Sequence, residues 1–142
     1  MRLLGLAFWH QFEGHPKPHL WFVLNEPEGH TLAVCLNMTS RHPVGERYVL
    51  LRAGVPLTTS GYSPAGDSTI FIIHPMALQR SRLEELLETA PQEGYLLPEI
   101  QVELINALLA ARDELSGSFL RTHGWLLDLI EKGSTSQPEA EP

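Results

Sequence analysis

Pro18-His19-Leu20-Trp21-Phe22-Val23-Leu24, then Asn25-Glu26-Pro27-Glu28-Gly29, then Thr31-Leu32-Ala33-Val34-Cys35-Leu36: this stretch decides how the chain begins to fold. Two apolar runs rich in aromatic and β-branched residues flank a short segment with a proline to preset φ and a glycine to permit a positive one. That pattern closes a β-hairpin over Leu20 to Leu36. A similar run, Leu3 to Phe12, precedes it, and two more follow, Arg47 to Arg52 and Ser68 to Ile73. Five strands are therefore expected. Between the last two, Ala53 to Asp67 carries three glycines and two prolines among Ser and Thr, which reads as a long loop with a short strand near Leu57.

Beyond residue 75 the apolar period lengthens. Ser81-Arg82-Leu83-Glu84 has the form of a capping box, and Leu83, Leu86 and Leu87 make the stripe of a short helix ending near Ala90-Pro91. Pro98 suits a helical first turn, and Ile100, Leu104, Ile105, Leu108, Leu109 and Leu115 recur at helical spacing after it. Phe119, Leu120, Leu126, Leu127, Leu129 and Ile130 predict a third helix, closed by Lys132-Gly133. Strands followed by helices, without βαβ alternation, predict an α+β domain with an antiparallel sheet. Five short strands with tight turns close most readily into a small curled barrel, because an open sheet exposes its edges. One domain over residues 1–132 is expected, a β-barrel half at 1–75 and a helical half at 76–132, with a disordered tail at 133–142.

Composition narrows the function classes. Among 142 residues the net charge is −7, and the excess lies wholly in the second half. From Met1 to Pro75 there are five Lys or Arg against five Asp or Glu, with six of the seven histidines; from Met76 onward the count is five against twelve. A polyanion such as RNA would have to meet the first half, since phosphate binding draws on clustered Lys and Arg. Cys35 stands alone in an apolar run, which excludes an intramolecular disulfide and fits a reduced, cytoplasmic setting. The apolar start of the chain is broken by His10 and Gln11 and lacks a small-residue cleavage site, so neither a signal peptide nor a membrane partner is expected.

The order of these segments resembles the PemK/MazF-like toxin superfamily. Pro18 to Leu24 is similar to the family strand that begins with Arg-Pro and continues with aliphatics, and Thr31 to Leu36, followed by Asn37-Met38-Thr39-Ser40, is similar to the next strand, which runs into a Thr or Ser. Arg47 to Leu51, the Gly- and Pro-containing loop, and Ser68 to Ile73 leading into helices continue the order over about residues 1 to 110. The resemblance implies an SH3-like barrel, a homodimer, RNA as substrate, an antitoxin or other protein as partner, and no cofactor. It also implies catalytic roles for the residues at His19, Thr39 and Ser40, in a mouth completed by the loop around Tyr62. Arg41 and Arg52, which flank one strand together with Arg47, read as a phosphate-binding patch, so Arg41, Arg52 and Tyr62 are the expected substrate-binding residues. One departure matters: the family's catalytic Arg position holds His19. Cleaving RNA through its own 2′-hydroxyl needs a base, an acid and a cation near the phosphate. Imidazole can titrate but lacks the fixed charge and fork of guanidinium, so chemistry is either redistributed to Arg41, Arg52 or His74, or lost.

Other residues carry competing readings. His10, His15 and His19 lie close in sequence, but without supporting Cys or carboxylates beyond Glu13 they read as a solvated turn and no metal site is expected. Trp9, Phe12, Trp21, Phe22 and Tyr48 suit base stacking, yet aromatics on strands usually fill a core. Three functions follow: a PemK/MazF-like endoribonuclease or its non-cleaving RNA-binding relative; a non-catalytic protein-interaction module using the same barrel and an acidic helical face; and, ranked third, a histidine-based metal protein.

Overall fold

A computed structural model describes residues 1–14, 16–39, 48–71, 76–110, 124–125 and 127–133. The chain is α+β, with strands β1 (Leu6–His10), β2 (His19–Val23), β3 (Leu32–Thr39), β4 (Tyr48–Leu51), β5 (Ser68–Phe71), β6 (Met76–Gln79) and β7 (Gln92–Tyr95). Helix α1 (Arg80–Leu87) lies between β6 and β7, and α2 (Pro98–Ala110) follows β7. A further helical segment, α3, covers 127–133. The strands form one antiparallel sheet in the order β4-β5-β3-β2-β1-β7, with β6 also paired to β3.

The predicted hairpin is β2–β3, in register from Leu20 opposite Met38 to Val23 opposite Cys35. Its turn is held by Asn25, which is fully buried. The Asn25 Oδ1 accepts from the Val34 N–H at 2.8 Å, and its Nδ2 donates to the Leu32 carbonyl at 2.9 Å, so the side chain stands in for one more rung of the ladder. The run Leu3 to Phe12 gives a shorter strand than its hydropathy predicts. Gly5 turns the chain at φ 89°, and the amides of Leu3 and Leu4 are taken by the Glu26 carboxylate instead of a neighbouring strand.

Side chains alternate across the sheet, and each face has its own apolar layer. Leu20, Phe22, Val34, Leu36 and Met38 face Leu104 and Ile105 of α2 and Leu127 and Ile130 of α3. Phe8, Trp21, Val23 and Cys35 face the other way, onto Leu83 and Leu87 of α1. Trp21, Phe8 and Phe22 are the largest fully buried side chains, so these aromatics serve the core. The chain leaving β4 meets the chain leaving β7: Thr58 bridges Leu96, the Leu97 N–H donates to the Leu57 carbonyl, and the Thr59 N–H to that of Tyr95. The short strand predicted near Leu57 is this single antiparallel bridge.

Three expectations are revised. The border at residue 75 does not divide strands from helices, because β6 and β7 lie beyond it. The Ser81 capping box does not form: α1 begins at Arg80, capped by extended Gln79 (φ −64°, ψ 146°) without a side-chain hydrogen bond, since β6 runs directly into the helix. Gly133 belongs to α3 and not to a tail; a Cβ there would meet the backbone nitrogen of Glu26 at 2.9 Å, so this close approach needs glycine. Residues 134–142 and the stretch of the predicted helices from 111 to 123 lie outside the described residues.

Cys35 illustrates the packing. Complete burial pushes its thiol up to about 12, leaving almost no thiolate at neutral pH. The native protein is expected to resist iodoacetamide at pH 8 and to be labelled within minutes in denaturant, as read by intact mass; rapid labelling under native conditions would contradict the burial.

Candidate functional site

Strand register places the candidate residues. β1 and β2 pair with His10 opposite His19. β2 and β3 pair up to Leu20 opposite Met38, and one residue further the same register sets His19 opposite Thr39. Thr39 in turn pairs with Thr69 of β5. Residues opposite one another in antiparallel strands share a face, with Cβ atoms about 4.5–5.5 Å apart. His10, His19 and Thr39 therefore form one transverse row near one end of the sheet.

That face is the α1 face, because His19 lies two residues from Trp21 and shares its side of β2. Burial is graded along the row: His10 and His19 are half-buried, and Thr39 is 9% exposed. The floor beneath is aromatic. His10 meets the edge of Phe12 at 4.4 Å between ring centroids, Phe12 meets Trp21 at 4.9 Å, and the Trp21 Nε1 donates to the His10 carbonyl at 3.1 Å. Burial and then the positive charge of Arg82 on α1 hold the His10 imidazole below its ordinary value of 6.5, so it is neutral at physiological pH.

Other candidates fall elsewhere. Tyr62 does not join this row: its ring stands edge-on to Trp9 at 5.8 Å, and Trp9 pairs with Leu20 on the opposite face of the sheet. There the Trp9 Nε1 donates to the Glu93 carboxylate at 2.9 Å, as does the Ser60 hydroxyl at 3.1 Å. Burial, helped by the Glu93 charge, raises the Tyr62 phenol above its usual value. A mouth that combines His19, Thr39 and Tyr62 is thus not formed, because the loop carrying Tyr62 is drawn to β7 by the Thr58–Leu96 bridge. Arg52 follows β4 at the same end of the sheet, but about 14 Å from β2 at three strand spacings. It lines a groove of about 190 Å³ against α2 with Leu50, Val55, Ile100 and Glu103. Ser40, Arg41 and His74 lie outside the described residues, as does His15.

Sequence reasoning set His10 aside as part of a solvated turn. Its partnership with His19 depends on the register across residues 11–18, which spacing alone does not reveal. Among the described residues no helix is long and apolar enough to cross a membrane. Compared with protein-family models, with curated proteins and with solved structures, the chain matches none.

Proposed function

We propose that this chain is a PemK/MazF-like domain that acts on RNA, with His19 and Thr39 at the centre of its site. The sheet is read as a curled, SH3-like barrel whose two edges approach one another at the Thr58–Leu96 bridge. The observation that carries the proposal is the strand register: continued one residue past Leu20 opposite Met38, it sets His19 and Thr39 on adjacent strands and on one face, as the family resemblance requires of these two positions. Ser40 and Arg41 follow Thr39 directly in the chain and extend the same reading, and Arg52 supplies an outer phosphate contact at the same end of the sheet. The partners in this reading are RNA, a second copy of the chain, and an antitoxin or comparable protein.

The chemistry is transesterification through the RNA 2′-hydroxyl, which needs proton transfer but no cofactor. Purified protein is expected to cleave a mixed-sequence single-stranded RNA in the presence of EDTA, leaving the DNA of the same sequence intact. His19→Ala and Thr39→Val should each lower the rate, His19→Ala by about 100-fold, in line with the usual worth of one acid–base group. Cleavage unaffected by both substitutions would remove the site, and absence of cleavage by the unaltered protein would remove the enzymatic reading.

A second reading, a protein-interaction module, is favoured by a different observation. The groove between β4 and α2 exposes Leu50 and Val55, at 39% and 43%, beside Arg52 and Glu103. Loss of RNA activity together with retention of a protein partner would select it.

A further inference from the structure

A second cluster of polar and aromatic side chains lies on the opposite face of the sheet from His19 and Thr39, where the loop after β4 meets β1 and β7. One wall of it is a tight turn. The Gly61 N–H donates to the Thr58 carbonyl at 2.9 Å, the Tyr62 N–H to the Thr58 hydroxyl at 3.2 Å, and the Leu57 N–H to the Tyr62 carbonyl at 2.8 Å. Strand β7 anchors that turn: the Thr59 N–H donates to the Tyr95 carbonyl at 2.8 Å, and the Tyr95 N–H to the Thr59 hydroxyl at 3.0 Å. Gly94, at φ 79°, lets the two segments come this close, since a Cβ there would collide with the Thr59 hydroxyl. The loop is thus held by the chain itself, and it carries Tyr62 to Trp9.

The two rings stand at 78° with centroids 5.8 Å apart, and both are half-buried, so each keeps part of its surface in solvent. Beside them is Glu93. Its Oε2 accepts from the Trp9 Nε1 at 2.9 Å and its Oε1 from the Ser60 hydroxyl at 3.1 Å. Both donors are neutral, and among the described residues no Lys, Arg or His pairs with this carboxylate. An ionised carboxylate offers about four lone-pair positions over its two oxygens, so each Glu93 oxygen retains capacity for another donor. An uncompensated negative charge therefore lies beside an indole and a phenol, whose ring faces are themselves negative. That charge reaches Tyr62, where it adds to burial in raising the phenol.

We infer that Trp9, Tyr62 and Glu93 form a cation-binding corner whose ligand is a guanidinium group. The aromatic faces and the carboxylate all attract positive charge, and they repel the phosphates of a nucleic acid. Within the cations, a planar and weakly hydrated guanidinium stacks on an aromatic face better than a compact, strongly hydrated ammonium. Open acceptor capacity on both carboxylate oxygens also matches the paired N–H groups of a guanidinium fork, which a single ammonium point charge does not. The net charge of −7 favours approach of such a ligand. Nothing here draws on the RNA reading, because the corner uses neither His19 nor Thr39. The guanidinium is carried either by a free arginine-like small molecule or by an arginine side chain of a partner polypeptide.

The test is titration of the full chain at constant ionic strength with ethylguanidinium, with ethylammonium, and with a capped peptide holding one arginine among glycines and serines. The readout is the Trp9 indole N–H in proton–nitrogen correlation spectra, with the indole of Trp21, sealed in the other layer, as internal reference. Ethylguanidinium should move the Trp9 signal saturably, with an affinity about fivefold or more above that of ethylammonium. Glu93→Gln, which keeps the shape and one acceptor oxygen but no charge, should weaken binding about tenfold, and Tyr62→Leu about threefold, each with the Trp21 signal in its native place. Peptide binding tighter than that of ethylguanidinium by about tenfold or more assigns the arginine to a polypeptide; a smaller difference assigns a free small molecule. Equal affinities for ethylammonium and ethylguanidinium would overturn the guanidinium assignment. A Trp9 signal that stays still, or that moves alike in the unaltered protein and in folded Glu93→Gln, would overturn the site. RNA cleavage, present or absent, changes none of these readouts, so failure of this site and failure of the RNA reading are told apart.

Discussion

Glu26→Ala is expected to destabilise the protein by about 3 kcal/mol and to lower its midpoint of thermal unfolding by roughly 10 °C. One carboxylate here joins three parts of the chain. Its Oε1 accepts from the backbone N–H groups of Leu3 and Leu4 at 2.8 and 2.9 Å, and its Oε2 from the Arg80 guanidinium at 2.8 Å. Arg80 in turn donates to the Pro27 carbonyl at 2.8 Å and to that of Met1, and pairs with Glu84 at 3.2 Å one turn along α1. Leu3 and Leu4 are buried, so removing their acceptor strands two amides where water has little access, at about 1–3 kcal/mol each before relaxation. Glu26→Gln, which keeps an acceptor but no charge, should lose about half as much.

The pH dependence separates this cause from simple packing. Burial works to raise the Glu26 carboxyl, but the Leu4 N–H, Arg80 and the Leu3 N–H outweigh it and hold it below its ordinary value of 4.5. A carboxyl depressed on folding adds stability that is present above the ordinary value and lost as pH falls through the lower, folded one. Urea denaturation from pH 6 down to pH 3 should therefore show a smaller acid loss in Glu26→Ala than in the unaltered chain. A loss under 1 kcal/mol at pH 7 with the same acid slope would refute the role assigned to the carboxylate.

The β2–β3 hairpin was legible because hydrophobic runs and turn chemistry agree from Leu20 to Leu36. Strand β7 was not, for Gln92-Glu93-Gly94-Tyr95 is polar and contains glycine; it pairs because the isolated edge of β1 lies beside it and because Thr59 and Leu57 hold its far side. The capping box at Ser81 misled for a related reason. Local sequence favours that start, but Arg80 is drawn into the helix by Glu26, which is 54 residues away in sequence. The site divides in the same manner. His19 and Thr39 could be singled out from strand order and resemblance, whereas the meeting of His10 with His19 and the exclusion of Tyr62 follow from register and from a loop bridge, both long-range.

Trp21→Ala should be the costliest single substitution in the core, at about 4 kcal/mol. Trp21 is fully buried between the α1 layer and the sheet, and its ring meets Phe12 nearly at right angles. Its indole also carries a specific bond, from Nε1 to the carbonyl of His10, which pins the last residue of β1 beside β2. Trp21→Phe isolates that bond, since most of the apolar contact survives; it should cost about 1–2 kcal/mol and speed amide hydrogen exchange at the end of β1 more than in β3. If Trp21→Phe matched the unaltered protein in both stability and exchange, the carbonyl bond would have no role in holding His10. A Trp21→Ala loss below about 1.5 kcal/mol would be incompatible with a packed aromatic floor. Because His10 and His19 face each other only while β1 stays in register to its last residue, the same indole that closes the core also sets the geometry on which the imidazole pair depends.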